Sequence, residues 1–102
     1  MDRRLELHEK LISLLGSSRA YFQPPESLKL EYPCVVYELS DVSTKKANDK
    51  LYLHKKRYDL LYITKAADDV TYDKILHNFE LVTFDRYYRS DNLHHYAITL
   101  YY

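Results

Sequence analysis

The residues best suited to chemistry are five histidines, one cysteine and a scatter of carboxylates. His94 and His95 are adjacent, while His8, His54 and His77 stand alone. Successive side chains in a strand point to opposite faces, so His94 and His95 do not converge on one metal ion. No pair of histidines has the HExxH spacing of a helical zinc site. Cys34 lies in the apolar run CVVYEL. A nucleophilic thiolate needs a positive, partly exposed niche, so these neighbours mark a packing thiol. The carboxylates Asp68 and Asp69, Glu38 and Asp41, and Asp85 could pair only across a cleft. A chain of 102 residues without a second lobe offers little room for one. The single glycine excludes a Gly-rich phosphate cradle. The expectation is therefore a non-enzymatic chain with no cofactor and no metal.

Composition supports one folded domain over residues 1–102. The hydrophobic fraction is 46% and the charged fraction 29%, ordinary values for a packed chain. Fifteen basic residues balance fifteen acidic ones, which argues against nucleic acid as the main partner. The opening MDRRLELHEK has no apolar leader pattern, and no run approaches a membrane span. With a single cysteine, an intracellular setting is expected. Twelve tyrosines are the unusual count. Tyrosine combines large contact area with a polar tip, which suits sheets with wet faces and protein interfaces.

The elements that would position these residues read in the order α-β-β-β-α-β-β. Residues 2–15 predict an amphipathic helix with Leu5, Leu11, Ile12, Leu14 and Leu15 on its apolar side. Asp2 is its expected N-cap and Gly16 its terminator. Residues 19–23 predict a short strand that ends before Pro24 and Pro25. Residues 34–39 predict a strand covered on both faces. Residues 41–50 are polar and read as a loop or hairpin tip. Residues 51–64 predict one long strand, antiparallel to 34–39, with a basic half projecting beyond the core. Residues 70–78 predict a helix capped by Asp68 or Asp69, with Val70, Ile75 and Leu76 toward the sheet. Residues 80–88 and 93–102 predict a hairpin joined by the polar turn RSDN. This pattern is α+β: a mainly antiparallel sheet of about five strands with two helices on one face.

Charge is unevenly distributed. Lys45, Lys46, Lys50, Lys55, Lys56 and Arg57 cluster around one acid, Asp49. Residues 66–92 hold six carboxylates against Lys74, Arg86 and Arg89. The arm at 45–57 can be a solvated hairpin, a surface complementary to the acidic half of another copy in a head-to-tail ring, or a contact for nucleic acid aided by Tyr52 and Tyr58.

Five segments together resemble a known family: YFQPPES, YPCVVYEL, LYLHKKRYDL, FDRYYRSDNLHHY and the closing TLYY. They are similar to the tail terminator, tail completion and head–tail joining proteins of long-tailed phages and prophages. The resemblance implies a structural virion protein of the neck, assembled in the host cytoplasm. It implies a homo-oligomeric ring, a hexamer, that caps the tail tube, stops its growth and meets the head connector or stopper. DNA would pass through the channel only as cargo, and no membrane is involved. A head-closure (stopper) protein is the neighbouring alternative; a small regulator binding an acidic partner through the basic hairpin is a third. Ring contacts favour Tyr and Arg. The interface candidates are Arg19, Tyr21, Tyr52, Arg57, Tyr87, Tyr88 and Arg89, with Lys45, Lys46, Lys50, Lys55 and Lys56 of the basic arm.

Overall fold

The computed structural model describes residues 3–42 and 55–102. Helix α1 spans Arg3–Leu15, and strands β1 (Ala20–Phe22), β2 (Cys34–Val42) and β3 (Lys56–Thr64) follow. Helix α2 (Thr71–His77) then leads to the hairpin of β4 (Leu81–Ser90) and β5 (Leu93–Tyr101). The sheet order is β1-β2-β3-β5-β4. Only β1 and β2 run parallel; the other neighbours are antiparallel. This is the expected α+β fold with its α-β-β-β-α-β-β order. Expected positions 51–54 of the long strand, most of the 41–50 loop and the Asp2 cap lie outside the described residues.

Burial alternates along the central strands, because a pleated strand sends alternate side chains to each face. Tyr58, Leu60 and Tyr62 on β3 share one face with Tyr96, Ile98 and Leu100 on β5, and with Val35 and Tyr37 on β2. Leu7 and Leu11 of α1 and Ile75 of α2 are fully buried against them. Each such side chain contributes about 2 kcal/mol when removed from water. The aromatic count is absorbed largely here. Tyr72 of α2 stacks on Tyr96 at 4.2 Å between centroids, and Tyr37 meets Phe22 at 5.1 Å.

Four details differ from the expectation. Strand β2 runs to Val42 and not only to residue 39, so residues 41 and 42 belong to it and not to the loop. Leu5 is 51% exposed, and the buried residue of that turn is Leu7. Both fit a helical period, and only the position of the sheet decides between them. Val70 is 61% exposed because α2 begins one residue later. The turn at 89–92 is tighter than expected. Asp91 and Asn92 alone form it, both with positive φ (53° and 62°), so β4 extends to Ser90. Two left-handed residues give the twist that a two-residue hairpin demands, and Asp and Asn tolerate that conformation.

Gly16 adopts φ 72°, and its N–H donates to the Ile12 carbonyl at 2.9 Å. That is the expected helix stop. The chain then reaches the short strand β1, and the Tyr32–Pro33 peptide bond before β2 is cis.

Candidate interaction surfaces

Both helices pack on one face of the sheet, so the other face is where a site can form. Its rows follow from register. Val36 lies opposite Leu61, Leu61 opposite Ala97, and Ala97 opposite Arg86, with Tyr21 beside Val36. The next row sets Glu38 opposite Asp59, Asp59 opposite Thr99 and Thr99 opposite Thr83. A groove of about 480 Å³ runs over these rows, walled by Gln23 and Pro24 and floored by Val36, Leu61 and Ala97. No described helix covers it.

The rim of the groove is charged. Glu38 and Asp59 are like charges directly across two strands, an arrangement that costs stability. Arg57 Nε lies 3.5 Å from Asp59 Oδ1, an exposed pair that offsets little of that cost. Thr99 Oγ1 donates to Asp85 Oδ2 at 2.5 Å. Such a surface, apolar along its centre and charged at its margin, has the composition of a protein interface.

A second surface is the sheet edge. β1 is three residues long, whereas β4 is ten residues long and pairs only with β5 among the described strands. Its Phe84 and Tyr87 are 42% and 47% exposed. Tyr88 stacks on His95 at 4.7 Å, and the Arg86 guanidinium lies 4.6 Å from the Tyr88 ring centre.

The interface candidates divide between these surfaces and elsewhere. Tyr21, Arg57 and Tyr88 share the bare face with the groove. Tyr87 and Arg89 stand on the helix side of edge strand β4, and the Tyr87 hydroxyl bonds His94 Nδ1 at 2.6 Å. Arg19 serves its own fold, donating to the Tyr32 carbonyl at 3.0 Å with Glu31 3.9 Å away. Lys56 is exposed at the start of β3, next to half-buried Lys55. Lys45, Lys46, Lys50 and Tyr52 lie outside the described residues. The tyrosine pairs 87–88 and 101–102 sit at opposite ends of the hairpin, so Tyr87 faces Tyr96 and Tyr101 faces Leu81. The C-terminal strand is internal; the edge belongs to β4.

Of the titratable groups singled out above, Cys34 serves packing, His77 is exposed, and His54 lies outside the described residues. Cys34 is fully buried, and burial pushes its thiol up to about 11, with Arg19 opposing only in part. His94 and His95 face opposite sides, against Thr64 and Ile63 respectively. Among the described residues no three His, Cys, Asp or Glu side chains cluster as a metal site, and no helix is long and apolar enough to cross a membrane.

Asp69 reaches further than a helix cap. Its Oδ2 accepts from Tyr62 at 2.5 Å and Thr64 at 2.8 Å, and its Oδ1 accepts from the Thr71 N–H at 2.9 Å and hydroxyl at 2.7 Å. Burial alone would raise its pKa, but the donated bonds outweigh it and hold the carboxyl below the ordinary value. Burial, reinforced by the bond to Asp69, pushes Tyr62 up to about 12. The group ties β3 to the start of α2. Asp69 was expected as a cap; its grip on two β3 residues carries no signal in sequence, because Tyr62 and Thr64 look like ordinary alternating strand residues.

Comparison with known proteins adds no relative: no protein-family model, curated protein or solved structure matches the chain.

Proposed function

We propose that the chain is a structural subunit that works by binding copies of itself and neighbouring proteins, as a ring-forming tail terminator of a phage neck. The observation that carries the assembly reading is the bare sheet face, where an apolar row from Val36 to Ala97 lies beside unbalanced carboxylates. A groove with a half-buried apolar floor and a charged rim, with no described helix over it, suits docking of another chain. The assignment to a phage neck comes from the resemblance of the five segments described above.

The work of such a subunit is geometric. Head-to-tail contacts that close after a fixed rotation make a ring, and each contact must bury about 1,000 Å² or be reinforced by its neighbours. The face centred on Leu61 supplies one half of that contact, and Tyr21, Arg57 and Tyr88 are the anchors on it.

The test is Leu61→Glu. Leu61 is half-buried with no described helix above it, so the fold tolerates the change while the groove gains a fourth carboxylate beside Glu38, Asp59 and Asp85. Tail tubes from the phage that encodes the chain should bind the wild type and not this variant. If the variant keeps its melting temperature and still caps tubes, the bare face is not the contact.

A further inference from the structure

Strand β4 has a feature that the bare face does not explain. A bulge between Phe84 and Arg86 leaves Asp85 as an extra residue, so Arg86 pairs with Ala97 while Phe84 pairs with Ile98. Phe84 and Tyr87 therefore both lie on the helix side of the sheet, opposite Ile98 and Tyr96. Asp85 and Arg86 both lie on the bare side: Asp85 bonds Thr99 there, and Arg86 faces Ala97. In a regular strand, neighbours point to opposite faces. The bulge gives the two halves of β4 mirrored face patterns about the bond between residues 85 and 86.

That pattern is what an antiparallel two-fold contact requires. When two copies of β4 meet about an axis through that bond, Asp85 faces the partner's Arg86 and Phe84 faces the partner's Tyr87. Thr83 then faces the partner's Tyr88. Every pair falls on the same side of the joined sheet, which an unbulged strand centred between two residues does not allow. The centre of the contact carries two opposite-charge pairs and two aromatic pairs, the cross-strand combinations that stabilise a sheet. The half-exposed rings of Phe84 and Tyr87, otherwise facing water on an open edge, are covered by each other.

We propose that the free chain forms a two-fold dimer by antiparallel pairing of β4 with β4 of a second copy. A two-fold contact closes after two copies and cannot propagate. It withdraws the long edge that β4 leaves open among the described strands from indiscriminate strand pairing until the subunit meets its assembly partner. The inference concerns the chain alone in solution and does not rest on the ring reading.

Sedimentation equilibrium of the purified chain, from about 1 µM to about 500 µM, tests it. A monomer–dimer equilibrium is expected. Asp85→Arg and Arg86→Asp each set two like charges face to face and should weaken the dimer at least about tenfold. A one-to-one mixture of these two variants restores both attractive pairs and should form a heterodimer, identified by a mass tag on one of them. Phe84 is 42% exposed but also packs on Tyr72 and Tyr96, so Phe84→Ser should weaken the dimer while lowering the melting temperature only in part, the monomer remaining folded by circular dichroism. The same Phe84→Ser comparison covers the case in which Asp85→Arg disturbs its own fold through loss of the Thr99 bond. A wild type that stays monomeric throughout overturns the proposal, and the bulge and charges then serve to keep strands apart. A dimer indifferent to Phe84→Ser and to Arg86→Asp overturns it equally, as does a mixture of folded variants that gives no heterodimer.

Discussion

Replacing Asp69 with Asn isolates the polar knot between β3 and α2. The carboxylate accepts four bonds, two on each oxygen, from Tyr62, Thr64 and both groups of Thr71. An amide keeps one acceptor oxygen and turns the other into a donor. Tyr62 is 1% exposed and Thr64 2%, so a hydroxyl that loses its acceptor there finds no water. Hydrogen bonds to a charged acceptor are worth about 1.5–3 kcal/mol and neutral ones about 1 kcal/mol, so the substitution should cost about 2 kcal/mol at pH 7. For a domain of this size that lowers Tm by roughly 8–16 °C. The loss also has a pH signature. The folded-state pKa of Asp69 is depressed, so on acidification the unfolded chain takes up the proton first. Its contribution is complete above the unfolded value of about 3.9 and disappears as pH falls through the folded value. Urea unfolding of wild type and Asp69→Asn between about pH 2 and pH 7 should show a gap that closes at the acid end. A gap below about 0.5 kcal/mol at pH 7, or one of equal size at pH 2, would refute the reasoning.

Other outcomes follow from single residues. Cys34 should resist a water-soluble thiol reagent at pH 7.5 in the native state and react only as the chain unfolds, because it is fully buried with its pKa near 11; complete labelling of the folded protein within minutes would contradict this. Gly16→Ala should cost about 1 kcal/mol in denaturant unfolding, from the left-handed backbone alone, since nothing lies within 4 Å of an added Cβ. His8 has its pKa lowered by burial and by Arg4, and its Nδ1 shares a hydrogen bond with the Tyr37 hydroxyl at 2.6 Å. Its protonation therefore favours the unfolded chain, so stability should decline as pH falls below about 6.5, and His8→Gln should flatten that decline.

Much of the fold was legible because local and global signals agree in it. The alternation in KRYDLLYIT places Tyr58, Leu60 and Tyr62 on one face, and Gly16 stops a helix where only a left-handed residue can. The choice between Leu5 and Leu7, and the exposure of Val70, were not legible, because several registers of a short helix bury an equal number of apolar side chains. The surfaces were harder still. Val36, Leu61 and Ala97 are apolar enough to read as core, and the placement of both helices on the opposite face leaves them only half-buried. The parity shift at Asp85 depends on a bulge that no residue in FDRYY announces. Tyr21, Arg57 and Tyr88 were named for their residue types, and the register brings them onto one face. Arg19, chosen on the same ground, holds its own loop instead.

The proposed assembly through the groove-bearing sheet face is measured by native mass spectrometry of the chain bound to purified tail tubes. A discrete cap of six copies per tube end is expected, lost with Leu61→Glu. A folded chain that leaves tube ends bare, or binds them as a single copy, would contradict it.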